Sequence, residues 1–579
     1  MLKKLQCFML LVGCIFNSVE AAQVSQERAA RDPEASTGYQ KKAKVVAKNA
    51  MVVAANPYAV EAGYQVLKAG GTAFDAAIAV QAVLGLVEPQ SSGIGGGTFI
   101  LYWQADKQKL HALDGRETAP SKATAELFFE QGKPLRWHDA VVGGRSVGVP
   151  GVIAALEAGH KKFGQLAWNK LFDHAIQLSE QGFIVSPRLA KLVGMEINPG
   201  IRLLAPAKNY FYPQGQPLQA GQKIKNSAYA NSLNLIAEHG SQGFYHGQLA
   251  KKISQAVQNS AQAPGLLTSE DLAKYQAKWR TPLCGEYKNN RICGFGPPSS
   301  GGFTVLNTLK LLQTHNLHQF PANDKRALHV FSQASRLAFA DRNAFLADSD
   351  FVNVPLFELL ADEYIQQRTK LIQLKQDMGE AEPGLAVAAH STTLSRPSTS
   401  HISIVDQWGN AVSMTTSIEM AFGSAVMTGG FLLNNQLTDF SFNPVTNGQP
   451  VANRVAANKR PRSSMAPTMV FNKKQQLTGI LGSPGGSRII NYVTQTLIGV
   501  IDWQLDIQSA IDLPKITNLN GTTALEANTD LADQLNYFKQ LGHKVQIRDL
   551  NSGLHAIWRT PEGWQGAADP RREGIAMGY

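Results

Sequence analysis

Arg396-Pro397-Ser398-Thr399-Ser400-His401-Ile402-Ser403-Ile404-Val405, continued by the turn Asp406-Gln407-Trp408-Gly409-Asn410 and by Ala411-Val412-Ser413-Met414, is the stretch that decides the fold. Alternating apolar residues at Ile402, Ile404, Val412 and Met414 around a Gly/Asn turn predict a buried β-hairpin. The segment before it, Pro383 to Pro397, is rich in Ala, Ser and Thr with Pro at both ends, which is linker composition. A linker that runs straight into a buried strand is unusual, and Thr399 sits at the junction. A threonine hydroxyl is a poor nucleophile unless a base lies beside it, and the α-amine of an N-terminal threonine is such a base on the same residue. Its unperturbed pKa of roughly 7.7 to 8 leaves a useful neutral fraction at physiological pH. That amine exists only if the chain is cut between Ser398 and Thr399, and the Thr399 hydroxyl could make the cut by attacking its own preceding carbonyl. Composition alone supports the plainer reading of Ser395 to Ser400 as a solvated Ser/Thr linker.

Upstream, Met51 to Ala55 predicts a short buried strand, and Asn56 with Pro57 a helix start ended by Gly70-Gly71. Thr72 opens a second helix, Phe74 to Val87, closed by Glu88-Pro89. Its apolar residues lie on all sides, so it belongs between layers rather than on a surface. Ser91 to Thr98 is glycine-rich and is followed by a strand, Thr98 to Trp103. A dinucleotide fingerprint needs the order strand, glycine loop, helix, and this segment lacks it. Gly144-Arg145-Ser146-Val147-Gly148 matches the G-x-S-x-G nucleophile pattern, with Ala140 to Val142 as a possible preceding strand. Val149-Pro150-Gly151 delays the next helix to Pro150, so a tight turn is the better reading of Ser146. From Val149 to Leu371 the periodicity is mostly helical, with helices expected over Gly151–Phe163, Trp168–Gln181, Ala228–Ala237 and Phe303–Leu312. No internal repeat is visible.

The chain has 579 residues, 44% hydrophobic and 17% charged, which excludes wholesale disorder. Residues 1–21 read as a signal peptide, with basic Lys3 and Lys4, an apolar run from Leu5 to Phe16, and Val19-Glu20-Ala21 at the cleavage point. Export to the periplasm follows, and Leu11-Val12-Gly13-Cys14 also looks like a lipid-attachment box that would anchor the chain at Cys14. No later apolar run approaches the roughly 20 residues of a membrane span. Cys7 and Cys14 fall in the signal. Cys284 and Cys293 flank a hairpin-like segment and, in an oxidising compartment, are disulfide candidates rather than a metal pair. The 13 histidines contain no H-E-x-x-H, so no metal site is expected. The net charge of +11 is dispersed, with one concentration at Lys459-Arg460-Pro461-Arg462. It permits attraction to anionic small molecules, but no nucleic-acid module accompanies it.

Three further segments resemble, nearly letter for letter, the signatures of the γ-glutamyltransferases (γ-glutamyltranspeptidases): Leu433-Asn434-Asn435-Gln436-Leu437-Thr438-Asp439-Phe440, Arg460-Pro461-Arg462-Ser463-Ser464-Met465-Ala466-Pro467-Thr468 and Gly482-Ser483-Pro484-Gly485-Gly486-Ser487-Arg488. Leu113-Asp114-Gly115-Arg116-Glu117-Thr118-Ala119-Pro120, Pro298-Ser299-Ser300-Gly301-Gly302 and Ala568-Asp569-Pro570-Arg571 look like the same family, in the same order along the chain. The resemblance implies an α/β (α+β) fold, a four-layer αββα sandwich of the N-terminal-nucleophile hydrolase type. It implies a precursor cut between Ser398 and Thr399 into a large chain, 22–398, and a small catalytic chain, 399–579, which share one core as a heterodimer. Carried over residue by residue, Thr399 is the nucleophile, Ser417 assists it, and the N–H groups of Gly485 and Gly486 hold the oxyanion. Arg116, Ser463 and Ser464 would receive the substrate α-carboxylate, and Asp439, Gln436 and Glu419 its α-ammonium. No cofactor is implied. The substrates would be glutathione and other γ-glutamyl compounds, with water or an amino acid or dipeptide as acceptor.

Two departures stand out. Position 419 is Glu where many members have Asn, and 417 is Ser where Thr is common. The stretch Phe440 to Asn458 is short and lacks the tyrosine that a longer lid carries in some members, so a more open site is expected. The alternative within the fold is a glutaryl or cephalosporin acylase, which would need no ammonium pocket. A non-enzymatic binding protein would leave the chain uncut.

Overall fold

The structure is a computed structural model that describes residues 36–386 and 398–579. The expectations for the signal peptide, for Cys14 and for most of Pro383 to Pro397 lie outside these residues. Two seven-stranded antiparallel sheets stack face to face. The first has the order Ile575–Gly578, Met51–Ala54, Ser400–Val405, Ala411–Ser417, Gly97–Gln104, Lys109–Gly115, Lys278–Arg280. The second runs Val45–Ala47, Gly563–Ala568, His555–Thr560, Leu477–Gly482, Thr468–Asn472, Asn290–Gly294, Leu283–Tyr287. Both sheets therefore interleave strands from either side of position 399.

Helices cover the outer faces. Pro57–Lys68 and Ala73–Val87 pack on the first sheet; Gly301–Leu312, Ile489–Ile501 and Ile507–Asp512 pack on the second, with Lys325–Phe345 against Gly301–Leu312. This is the four-layer αββα sandwich. The period of two in each central strand sorts side chains between the layers. Val52, Ile100, Tyr102, Ile402, Ile404, Val412 and Met414 join the core under the first helical layer, whereas Met51, Val53, Phe99, Leu101 and Trp103 face the second sheet. Between the sheets some contacts are polar: Ser403 Oγ donates to the His555 carbonyl at 3.0 Å and Ser413 Oγ to the Leu481 carbonyl at 3.1 Å.

Local chemistry explains the element starts. Asn56 Oδ1 accepts from Tyr58 N with Pro57 in the first turn, and Thr72 and Asp75 form a reciprocal capping box. Every residue of Ala73–Val87 is buried, as its all-round apolar character requires. The glycine-rich loop that follows packs closely against the hairpin. A Cβ at Gly96 would lie 2.1 Å from the Ser417 carbonyl oxygen, and one at Gly97 would lie 2.2 Å from Glu117 Oε2.

Several expectations change. Ala140 to Val142 is not a strand: Trp137–Val141 is a short helix. Arg136 just before it binds Asp139, a first-turn acid, and the two-residue β-branched run Val141-Val142 is too short to override this. Ser146 closes a 3₁₀ turn, buried, with Oγ donating to the carbonyls of Val141 and Gly143. The following helix begins at Val152 rather than Pro150, and Trp168–Gln181 divides into a 3₁₀ turn, Trp168–Phe172, and a helix, Asp173–Gln181. Cys284 lies directly opposite Cys293 across an antiparallel pair, and the two are disulfide-bonded. Among the described residues no helix is long and apolar enough to cross a membrane.

Candidate active site

Thr399 precedes the strand Ser400–Val405 near the middle of the first sheet, and Ser417 ends the neighbouring strand, whose Thr416 pairs with Ser400. The register brings the two hydroxyls together at 3.2 Å. Both also donate to one acceptor, the Ser398 carbonyl oxygen, Thr399 Oγ at 2.5 Å and Ser417 Oγ at 2.7 Å. The carbonyl next to the Ser398–Thr399 bond is thus polarised by two hydroxyl donors, one of them on the following residue. Ser398 is itself fixed, its Oγ donating to the Gln90 carbonyl at 2.5 Å. Ser417 Oγ accepts from Glu419 N at 2.9 Å, so its own proton is free to point at Ser398.

The same cavity is lined by Arg116, Thr399, Ser417, Glu419, Gln436, Asp439, Ser463, Ser464 and Gly486, with Met465 and Ile489 closing it. Gly485 adjoins it at φ +135°, followed by Gly486 at +57°, conformations that glycine tolerates best. Arg116 is fully buried and makes a short ion pair with Asp439, Nη2 to Oδ2 at 2.6 Å. Its Nε and Nη2 also donate to the carbonyls of Pro461 and Arg462, both at 3.1 Å. Gln436 Nε2 donates to Asp439 Oδ2 at 2.8 Å and to Glu419 Oε2 at 3.1 Å. Glu419 holds φ +77°, inside a loop where Phe422 and Ala425 are also left-handed. Such strain gathers at functional sites.

The cavity has only about 10 Å³ of free volume in the uncut chain. The Ser398 carbonyl takes both hydroxyls, and Arg116 and Asp439 occupy each other.

The motif residues around these groups act as cross-links. Asn434 Oδ1 accepts from Gly148 N and Gln436 N, while its Nδ2 donates to the carbonyls of Gly95 and Gly148. Asn435 Oδ1 accepts from Met420 N, fixing the loop that carries Glu419. Asn453, which sequence reasoning passed over, donates to the Asp439 carbonyl at 2.8 Å and accepts from Arg462 N at 3.0 Å. Ser300 donates from both N and Oγ to the Ser463 carbonyl, at 2.8 and 2.6 Å. The Pro298 to Gly302 motif thus braces the Ser463-Ser464 segment.

Two buried ionisable side chains were not singled out by sequence. Glu117 lies 3.6 Å from Arg116 Nη1, and neither of its carboxylate oxygens has a hydrogen-bond partner among the described residues. Burial pushes its pKa up to about 8 against the opposing pull of Arg116, so it holds a proton at neutral pH. Arg342 reaches Ser464 from the helix Lys325–Phe345.

The sequence model of the family described as gamma-glutamyltranspeptidase matches residues 59–579. The chain belongs to this family. It is similar to the γ-glutamyltranspeptidase relative "Glutathione hydrolase proenzyme" of Bacillus subtilis (strain 168), 35% identical over 534 residues, 89% of each chain. The protein of the same name from Escherichia coli (strain K12) is 35% identical over 533 residues, 89% of this chain and 90% of that one. Among solved structures, the cephalosporin acylase of Bacillus halodurans superposes with a TM-score of 0.82 at 30% identity, over 93% of this chain and 97% of that one. The γ-glutamyltranspeptidase family and these neighbours agree with the αββα, N-terminal-nucleophile fold observed.

Proposed function

We propose that this chain is a γ-glutamyltransferase and glutathione hydrolase, made as a precursor that cuts itself between Ser398 and Thr399. The observation that carries the reading is the Ser398 carbonyl oxygen held by Thr399 Oγ at 2.5 Å and Ser417 Oγ at 2.7 Å, in the cavity that also contains the Arg116–Asp439 pair. Thr399 Oγ attacks the Ser398 carbonyl carbon while Ser417 stabilises the developing oxyanion. The Thr399 nitrogen takes the proton and leaves, and water hydrolyses the resulting ester. The products are a large chain ending at Ser398 and a small chain beginning at Thr399, which stay together because both sheets contain strands of each.

In turnover the free Thr399 amine serves as base for its own hydroxyl, which attacks the substrate γ-carbonyl. The N–H groups of Gly485 and Gly486 receive the oxyanion; loss of one such donor commonly costs about 10² to 10³ in rate. A γ-glutamyl-threonine ester forms and passes to water or to an amine acceptor. The zwitterionic end of the donor exchanges partners with the protein: its α-carboxylate replaces Asp439 beside Arg116 and joins Ser463 and Ser464, while its α-ammonium replaces Arg116 beside Asp439, Gln436 and Glu419. The ion pair is thus a charge template for the group that displaces it. The leading residues 1–21 direct the precursor to the periplasm.

A second reading, an acylase that removes glutaryl or cephalosporin side chains, is favoured by the superposition on the Bacillus halodurans cephalosporin acylase. It leaves three acceptor groups, Asp439, Glu419 and Gln436, without an ammonium to bind. Comparing γ-glutamyl-anilide with glutaryl-anilide cleavage separates the two. Preference for the γ-glutamyl compound is expected, and preference for the glutaryl compound would overturn the first reading.

A further inference from the structure

Arg342 stands in the helix Lys325–Phe345 and is only 2% exposed, yet it forms no ion pair with a carboxylate among the described residues. All its polar contacts are to neutral oxygens: Nε to Ser300 Oγ at 2.9 Å, Nη1 to Asn343 Oδ1 at 2.8 Å, and Nη2 to Ser464 Oγ at 2.7 Å. A guanidinium removed from water without a counter-charge is costly. Burial, reinforced by the nearby Arg462 and opposed by the Asp439 carboxylate, pulls the Arg342 pKa well below its ordinary range. Arg462 is also buried, and its Nη2 has no hydrogen-bond partner among the described residues. Asp439, the carboxylate whose charge acts on both, is already paired with Arg116, so net positive charge lies behind the cavity wall formed by Ser463 and Ser464 and points to a further anion in the cavity.

The hydroxyl directions agree. A serine hydroxyl has one proton and two lone pairs. Ser464 Oγ already accepts from Arg342, and Ser463 Oγ accepts from Met465 N at 3.1 Å. Each hydroxyl thus has one lone pair engaged by the protein and its proton available to the cavity. A carboxylate, which only accepts, fits that proton.

We propose that Arg342 is a positioning residue for the donor's carboxylate: it fixes Ser464 as a hydrogen-bond donor into the cavity and places net positive charge behind it. This rests on the γ-glutamyl reading above. It assigns to the large-chain helix Lys325–Phe345 a part in substrate selection that acts through Ser464 rather than by contact with the substrate.

The test is a double-mutant cycle on the full, self-processed protein. Arg342→Met, Arg342→Lys, Ser464→Ala and the double variant Arg342→Met with Ser464→Ala are purified, checked for cleavage into two chains, and assayed with γ-glutamyl-anilide. Arg342→Met is expected to raise the donor KM about 10-fold or more with kcat little changed, the loss expected for a hydrogen bond to a charged group. Arg342→Lys should recover part of this, and in the Ser464→Ala background the effect of Arg342→Met should shrink to about 2-fold or less. A fall in kcat with KM unchanged, or an undiminished Arg342 effect without the Ser464 hydroxyl, would show a merely structural role and overturn the proposal. Should Arg342→Met remain uncut, Arg342→Lys carries the test, since one ammonium cannot span Ser300 and Ser464 as the guanidinium does; a wild-type KM there would overturn the proposal. A wild type that fails to cleave γ-glutamyl-anilide overturns the functional reading itself, whereas cleavage with KM indifferent to Arg342 overturns only this inference.

Discussion

The two ends of the cavity are prepared in opposite ways. At the Thr399 end, two hydroxyls converge on one carbonyl within 2.7 Å. At the Arg116 end the charges are matched to each other, Arg116 with Asp439 at 2.6 Å, a pairing that the proposed donor would displace. In the proposed mechanism the first end acts once on the chain itself and is then reused. The second is a store of matched buried charge whose removal affects stability as well as binding. Substitutions at the two ends should therefore differ in kind.

The largest effect belongs to the hydroxyl end. Thr399→Ala should leave a single uncut chain with no measurable turnover of γ-glutamyl-anilide, while its unfolding midpoint in denaturant stays close to that of the uncut precursor. A turnover-competent Thr399→Ala protein would erase the distinction between the two ends. At the charged end, Asp439→Ala leaves Arg116 buried without its partner and should cost about 3–5 kcal/mol in denaturant unfolding. A loss under about 1 kcal/mol would mean that the pair is not held as tightly as its geometry implies. Arg116→Lys keeps the charge but loses the fork of donors. It should still self-cleave, with kcat/KM for γ-glutamyl donors down by about 2–5 kcal/mol in transition-state stabilisation. A normal KM there would displace Arg116 from the carboxylate site.

Two smaller effects sharpen the contrast. Glu117 is protonated in the folded protein up to about pH 8, whereas in the unfolded chain it ionises near the ordinary carboxylate range. A folded pKa raised in this way favours the folded state fully below the unfolded value, and the contribution is lost as pH rises through about 8. Glu117→Gln should therefore match the wild type near pH 4 and become the more stable of the two by pH 9, as thermal melts across that range would show. Last, Glu419 at φ +77° carries strain that asparagine bears more easily. Glu419→Asn should gain up to about 1 kcal/mol of stability while weakening donor binding. An unchanged KM would remove Glu419 from the ammonium pocket.

The sequence made the hydroxyl end readable and the charged end only partly so. The junction at Thr399 stood out because linker composition met a strand pattern there, although its role as nucleophile came only through the family motifs, and Asn56, Pro57 and Thr72 announced their helices by capping chemistry. Arg116, Asp439, Ser463 and Ser464 were found through motifs, but that Arg116 and Asp439 would bind each other depends on loops more than 300 residues apart. Arg342 was invisible: in a helix of mixed polarity one arginine looks like any solvated charge, and only the packing of Gly301–Leu312 and the Ser463 segment around it reveals its burial. Glu117 was quoted within its motif yet not weighed, because its unusual state arises from contact with Gly97 and from exclusion of water. Ala140 to Val142 misled for a local reason, since two adjacent valines imitate a strand too short to show a period.

One measurement bears most directly on the central claim: denaturing mass analysis of the purified protein, with N-terminal sequencing of the smaller piece. Two chains are predicted, the smaller beginning Thr399-Ser400-His401. A single intact chain, or a smaller piece that begins at any other residue, would contradict the account.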